Sequence, residues 1–85
     1  MKLYLVHTGY YDKSVGDGFY EQHTNILIVA NNAYSAREKV KKHQDYINKK
    51  MHIDGIKEIE NVDGYDVQLN KSNNQEKVTL YNHYQ

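Results

Sequence analysis

The first third of the chain contains two hydrophobic runs that predict β-strands. Leu3 to Thr8 is rich in strand-forming side chains and ends at Gly9. Gln22 to Ala30 is the stronger run, because four large aliphatic residues follow one another at its centre. Between the runs, Tyr10 to Tyr20 carries charges and two glycines, which predicts a long loop.

One amphipathic helix is predicted after the second strand. Asn32 is a favourable N-cap, so the helix is expected from Ala33 to about Gln44. Four residues at steps of four, three and four share one helical face: Ala36, Val40, His43 and Ile47.

The second half of the chain predicts three more strands. A β-branched residue recurs every third position, which fits a bulged strand or a short helical turn: Ile53, Ile56, Ile59 and Val62. We expect the strand, because Tyr65, Val67 and Leu69 then alternate cleanly. A turn at 71–75 leads into a last strand from Lys77 to Tyr81.

A β-hairpin is predicted to turn at residues 62–64, a Val-Asp-Gly sequence. A two-residue turn pairs Val67 with Glu60, whereas a three-residue loop pairs Val67 with Ile59. A one-residue slip exchanges the two faces of a strand, and only the three-residue loop pairs the apolar Val67 with the apolar Ile59. We therefore expect the three-residue loop. It also places Gly64 at a left-handed position.

These elements predict an α+β fold in the order ββαβββ. The sheet is expected to be mostly antiparallel, with four or five strands and one helix packed on one face. Residues 1–85 form a single domain at this length. The first two strands are apolar on both faces, so the loop at 10–20 or a second copy must cover the face that the helix leaves open. We expect a homodimer.

Composition narrows the function classes. There is no cysteine, which excludes disulfides and thiolate metal ligands and fits the cytoplasm. Eleven basic and eleven acidic residues cancel, which argues against nucleic-acid binding despite the basic segment from Arg37 to Lys50. No apolar run approaches the roughly 18 residues that cross a membrane, and no cofactor motif is present.

The histidines are the main candidates for chemistry, since the chain contains five. If the first two strands pair about Val15, His7 lies opposite His23, and directly paired Cβ atoms are about 5 Å apart. His52 and Asp54 share a strand face. These four are the candidate catalytic residues, and they can hold a divalent metal with one open position. No dense metal-binding spacing is present, so purely structural histidines are the alternative.

The loop between the first strands is the second candidate site. Glycines at 16 and 18 allow close approach of a ligand to the backbone, and aromatic residues surround them. The segment follows neither the phosphate-loop nor the calcium-loop pattern. Aromatic side chains that complete the core are the alternative to a contact surface. The candidate ligand or partner contacts are Tyr10, Tyr11, Asp17, Phe19 and Tyr20.

Several short segments occur in an order that resembles a known family. They are the opening Leu3–Val6 running into Gly9, Glu21–His23 leading into the second strand, Met51–Gly55, and Val62–Tyr65. Together they resemble an uncharacterised bacterial family, a domain of unknown function numbered fifteen forty-three. The resemblance spans about residues 2–70 and leaves 71–85 outside. It implies no activity and no catalytic residue. Some members resemble two copies in one chain, which implies that a single copy can dimerise.

The functional expectation is a non-catalytic protein- or ligand-interaction domain that works as a homodimer. The alternative is a small metal-dependent or general acid/base enzyme that uses the histidine cluster. Weak nucleic-acid binding is the second alternative. The discriminating observation is whether the candidate histidines converge at a place that solvent reaches.

Overall fold

The computed structural model describes residues 1–82 and has the predicted α+β class and ββαβββ order. Its elements, in chain order, are β1 (Lys2–Tyr11), β2 (Glu21–Ala30), α1 (Ala33–Val40), α2 (Gln44–Asn48), β3 (His52–Glu58), β4 (Asn61–Val62) and β5 (Tyr65–Asp66). A 3₁₀ turn at Gly16–Gly18 lies in the β1–β2 loop. Within the described residues, none of the helices is long and apolar enough to cross a membrane.

The strands divide between two sheets. β2, β1 and β3 form a three-stranded antiparallel sheet with β1 in the centre, and β4 pairs only with β5. Val6 marks the middle of the larger sheet, where it lies opposite Ile26 on one side and Ile56 on the other. β1 is hydrogen-bonded along both edges, as the central strand of this sheet.

The hydrophobic core lies between this sheet and α1. The even-numbered residues of β1 point toward the helix, and Tyr4, Val6 and Thr8 are buried there. α1 contributes Ala36 and Val40, both fully buried. Each large side chain that is buried in this way stabilises the fold by about 1.5–3 kcal/mol. The contacts between β1 and α1 therefore hold the helix against the sheet.

The helical region differs from the prediction, because it is broken into two short helices. Asn32 caps α1 as expected, with its side chain accepting a hydrogen bond from the Ser35 N–H at 2.8 Å. The chain then turns, and the His43 imidazole accepts from the Asp45 N–H at 3.3 Å to cap α2. His43 and Ile47 therefore do not share the buried face of α1. Local side-chain bonds of this kind compete with helix continuation.

The hairpin register is also different from the prediction. Val62 pairs with Tyr65, so the turn contains only Asp63 and Gly64. Both turn residues have positive φ, 55° and 82°, as a type I′ turn requires. Val62 and Tyr65 are exposed, so no buried face was available to select the longer loop, and turn chemistry decided the register.

Of the two other strands predicted in the second half of the chain, one is confirmed and one is wrong. β3 is bulged, as expected, because its pairing with β1 shifts between His7 and Thr8. The predicted strand over 77–81 is wrong, since these described residues form no strand.

Within residues 1–82, one face of the three-stranded sheet carries no helix. We call it the open face, and the odd-numbered residues of β1 point toward it. The β1–β2 loop does not fold across it, because Phe19 and Tyr20 remain 77% and 65% exposed. Leu27, on this face of β2, is 62% exposed.

Candidate metal centre

The three strands of the larger sheet bring polar side chains together at one end of the open face. Strand alternation places alternate residues of each strand on this side. The side chains come from β1, β2 and β3, and they form what we call the histidine–carboxylate cluster: His7, Glu21, His23, His52 and Asp54. All four sequence-predicted candidates are therefore brought together, and Glu21 joins them.

The contacts between these side chains are short. His52 Nε2 lies 2.9 Å from Glu21 Oε1 and 3.1 Å from Asp54 Oδ1. The other oxygen of Asp54 lies 3.2 Å from His23 Nδ1. His23 Nε2 is 3.7 Å from Glu21 Oε1. Two carboxylates from different strands are thus interleaved with two imidazoles.

His7 extends the cluster by a ring contact. Its imidazole stacks on that of His23, with ring centroids 5.0 Å apart and an interplanar angle of 9°. The two are not directly opposite, as the sequence predicted, because His7 pairs with Asn25 and His23 pairs with Gly9. The strands turn about Gly16 instead of Val15, and a partner shift of two residues keeps the same face.

Asn25 fixes the orientation of the His7 ring. The amide oxygen Oδ1 lies 2.8 Å from His7 Nδ1 and accepts the hydrogen bond from that nitrogen. An imidazole that donates one N–H to a fixed acceptor keeps its other nitrogen available as a ligand.

Gly9 forms the floor of the cluster. On the central strand it lies directly between His23 and His52, its partners on the two sides. A Cβ atom at this position would collide with Glu21 Oε1 and would lie 2.6 Å from His52 Nε2. The space between the two histidines therefore exists because residue 9 has no side chain.

The bulge of β3 places Asp54. His7 pairs with Gly55 and Thr8 with Ile53, so Asp54 is the extra residue. Bulges redirect side chains and are frequent beside functional sites. Here the bulge lets one carboxylate reach histidines of both neighbouring strands.

The cluster is open to solvent. The side chains of His23 and His52 are 45% and 49% exposed, and those of Glu21 and Asp54 are about one third exposed. Two groups each bring three ligand atoms within 4.8 Å of one another, and they share Asp54: His7, His23 and Asp54, and Glu21, His52 and Asp54. The arrangement offers nitrogen and oxygen donors with two negative charges to a cation.

The candidate loop residues are divided between several places. Tyr11 borders the cluster, with its hydroxyl donating to Glu21 Oε2 at 3.4 Å. Tyr10 lies on the helix side, where Lys49 Nζ sits 4.9 Å from its ring centroid. Phe19 and Tyr20 form an exposed edge-to-face pair. Asp17 is exposed and has a φ of 58°, so its contribution is to the shape of the turn.

Three site residues were missed by sequence reasoning. Glu21 lies two residues before His23, so strand alternation already placed it on the same face. Gly9 and Asn25 are recognisable only with the strand register, because each acts through the residue opposite it.

Comparison with known families identifies the chain's relatives. The family described as Domain of Unknown Function (DUF1543) matches residues 18–69, more than half of the chain. The matched segment contains Glu21, His23, His52 and Asp54. Neither the curated proteins nor the solved structures contain a match. The chain belongs to the DUF1543 family.

Proposed function

We propose that this domain binds a divalent transition-metal ion, with zinc as the reference ion, at the histidine–carboxylate cluster. The observation that carries the proposal is the convergence of His23, His52, Glu21 and Asp54 from three strands. Imidazole nitrogen and carboxylate oxygen are ordinary zinc ligands, and imidazole also suits the other late first-row metals.

The spacing of the donor atoms supports this choice. Ligands bound tetrahedrally at about 2.0–2.1 Å lie about 3.3 Å from one another. The four nitrogen–oxygen separations in the cluster range from 2.9 to 3.7 Å, and they use both ring nitrogens of His23. To bind one ion, the His23 ring would therefore have to turn so that a single nitrogen faces the other donors.

The surroundings of the donors support it further. Asn25 orients His7 as an outer-shell partner orients a metal ligand. Gly9 has no side chain, so the donor atoms of Glu21, His52 and Asp54 can lie directly above the central strand.

The chemistry such a centre would supply is polarisation of a bound oxygen. With three of the four side chains as ligands and the fourth position open, a zinc ion would acidify a bound water and polarise carbonyl or phosphoryl groups. Solvent reaches the cluster, and Tyr11 borders it with a hydroxyl group. A small metal-dependent hydrolase is therefore the activity that we propose to test first.

The direct test is zinc titration of tag-free protein by calorimetry, together with elemental analysis. Structural zinc sites have apparent binding free energies of about 10–16 kcal/mol, which corresponds to about 3 kcal/mol for each of four ligands. We expect His52→Ala to weaken binding by about 100-fold. Unchanged affinity in this variant, or no zinc binding by the wild type, would refute the proposal.

His43→Asn provides the matched control. It removes a histidine outside the cluster, and asparagine preserves the cap of α2. Its zinc affinity should equal that of the wild type.

A second function, homodimerisation through the open face, is favoured by the uncovered apolar side chains beside the cluster. Leu27 is exposed on this face, and Leu5 and Val29 are only partly buried. Two strands of ten residues and one of seven offer about 430 Å² at standard strand spacings, or about 860 Å² for two copies. That is slightly below the roughly 1,000 Å² of a stable specific interface, so a weak dimer is expected.

Sedimentation velocity over a concentration series tests the dimer. Wild-type protein should shift toward twice the monomer mass as concentration rises, and Leu27→Asp should remain monomeric. A wild type that stays monomeric at tens of micromolar would remove this second function and leave the metal proposal standing.

A further inference from the structure

We propose that a groove beside the histidine–carboxylate cluster binds a small anionic ligand with two oxygen-donor ends. One end lies at the metal centre, and the other pairs with Lys57. The inference deepens the proposed function, because one of the two ends requires the metal ion.

The groove runs along the open face from the cluster toward the middle of the sheet. Its volume is about 510 Å³, and its lining includes Leu5, His7, Asn25, Ile56 and Lys57. This size is typical of sites for small organic molecules. His7 belongs to both the groove and the cluster, so a ligand in the groove reaches the metal centre.

The walls of the groove are mainly apolar between two polar ends. Leu5 pairs with Lys57 on β3 and with Leu27 on β2, so the centre of the groove is hydrocarbon. Asn25 provides an amide at the edge, with its Oδ1 already bonded to His7. A ligand with an apolar middle section matches this lining.

The ammonium group of Lys57 gives a positive charge to the end of the groove that lies away from the cluster. Two of the lysines have carboxylate partners: Lys2 lies 3.6 Å from Glu58, and Lys41 lies 3.5 Å from Glu38. Among the described residues, Lys57 forms no such ion pair within 4.0 Å. Its ammonium group is therefore available to an anionic group of the ligand.

The strand register gives the length of the ligand. Lys57 is opposite Leu5, four residues along β1 from Gly9, above which the metal centre lies. Four residues of a strand span about 14 Å, and a Lys57 side chain extended toward the cluster, together with the metal–oxygen bond, covers about half of that distance. The ligand class is therefore an aliphatic or aromatic acid whose two oxygen functions lie about 7 Å apart.

The test uses zinc-loaded full-length protein and a series of dicarboxylates: succinate, adipate and suberate. Backbone amide shifts of Ile56 and Lys57, and the side-chain amide shifts of Asn25, report binding by two-dimensional NMR. Adipate should bind most tightly, because its extended carboxylates match the groove better than those of succinate. If the wild type self-associates, the same titration is made at a protein concentration below that at which sedimentation velocity detects the dimer.

Lys57→Met tests the charged end, because it keeps the stem and removes the ammonium group. A partly exposed ion pair contributes about a two- to fivefold change in affinity, and the variant should lose that factor for adipate. Hexanoate, which lacks the second carboxylate, should bind both proteins equally. Lys2→Met is the matched lysine control and should resemble the wild type. Zinc affinity should be the same in all of these proteins.

The outcomes separate the two proposals. Zinc binding without adipate binding, or adipate binding that Lys57→Met leaves unchanged, overturns the groove proposal while the metal site stands. Absence of zinc binding overturns the metal site itself. Adipate shifts that persist without zinc overturn the assignment of one ligand end to the metal.

Discussion

Replacing Gly9 by alanine tests whether the cluster is built around a metal ion. The substitution removes no ligand and adds one methyl group on the central strand. Its Cβ would lie 2.6 Å from His52 Nε2 and 2.8 Å from Asp54 Oδ2, and it would collide with Glu21 Oε1. Ordinary van der Waals contact begins near 3.4 Å. The methyl group therefore displaces three donor atoms by about half an ångström or more.

The expected effects on zinc affinity and on stability differ in size and sign. Zinc sites hold their ligand distances to within about 0.2 Å, so a displacement of this size weakens binding by about 10- to 100-fold. The metal-free fold should be little affected, because the displaced atoms are the ends of flexible side chains. Gly→Ala at an unstrained position stabilises by about 0.4–1 kcal/mol through the unfolded state, which offsets the crowding.

The assay combines zinc calorimetry with thermal unfolding of the metal-free protein. Gly55→Ala is the matched control, since a Cβ at that position meets nothing within 4 Å. It should bind zinc like the wild type. If Gly9→Ala binds zinc as tightly as the wild type while remaining folded, the cluster does not enclose an ion and the reasoning from donor spacing is wrong.

Three further predictions concern stability. Zinc at 100 times its dissociation constant should stabilise the domain by about 2.7 kcal/mol, which raises Tm by about 10–20 °C in differential scanning calorimetry. A chelator should reverse the shift, and an unchanged Tm would contradict metal binding. His43→Ala should destabilise the fold by about 0.5–1 kcal/mol in urea denaturation, because α2 loses its cap, whereas His43→Asn should not. The pKa of Asp12 lies below its usual 3.8, because its carboxylate accepts hydrogen bonds from the Ser14 hydroxyl and the Ser14 backbone N–H. The turn at Asp12 should therefore keep its full stability above pH 3.8 and lose it as pH falls through the lowered pKa. The loss is measured as a fall in the protection factor of the Ser14 amide, which compares its exchange rate with the intrinsic rate at the same pH. A protection factor that does not change on acidification would contradict this.

The sequence predicted the elements with strong periodicity better than those decided by local turns. β2 was predicted to within one residue, because its aliphatic run has few alternative structures. The end of α1 and the hairpin register were wrong. His43 ended the helical pattern by capping a new helix, and the Asp63-Gly64 turn imposed its own geometry on strands with no buried face.

The candidate site was predictable because side chains alternate between the two faces of a strand, and an error of two residues in the register leaves each side chain on the same face. The two-residue error in pairing moved His7 from opposite His23 to diagonally beside it, and both side chains remained on one face. The position of β3 was the missing information. It places His52 and Asp54 beside the other strands through contacts between residues far apart in the sequence. Periodicity within one segment cannot supply such contacts.

The measurement that tests the metal centre most directly is an anomalous-scattering map from crystals grown with zinc, recorded at the zinc absorption edge. We expect a peak above Gly9, within bonding distance of His23, His52 and at least one of the carboxylates Glu21 and Asp54. A map with no peak at the cluster, or with zinc bound only at His43 or another surface side chain, would contradict it.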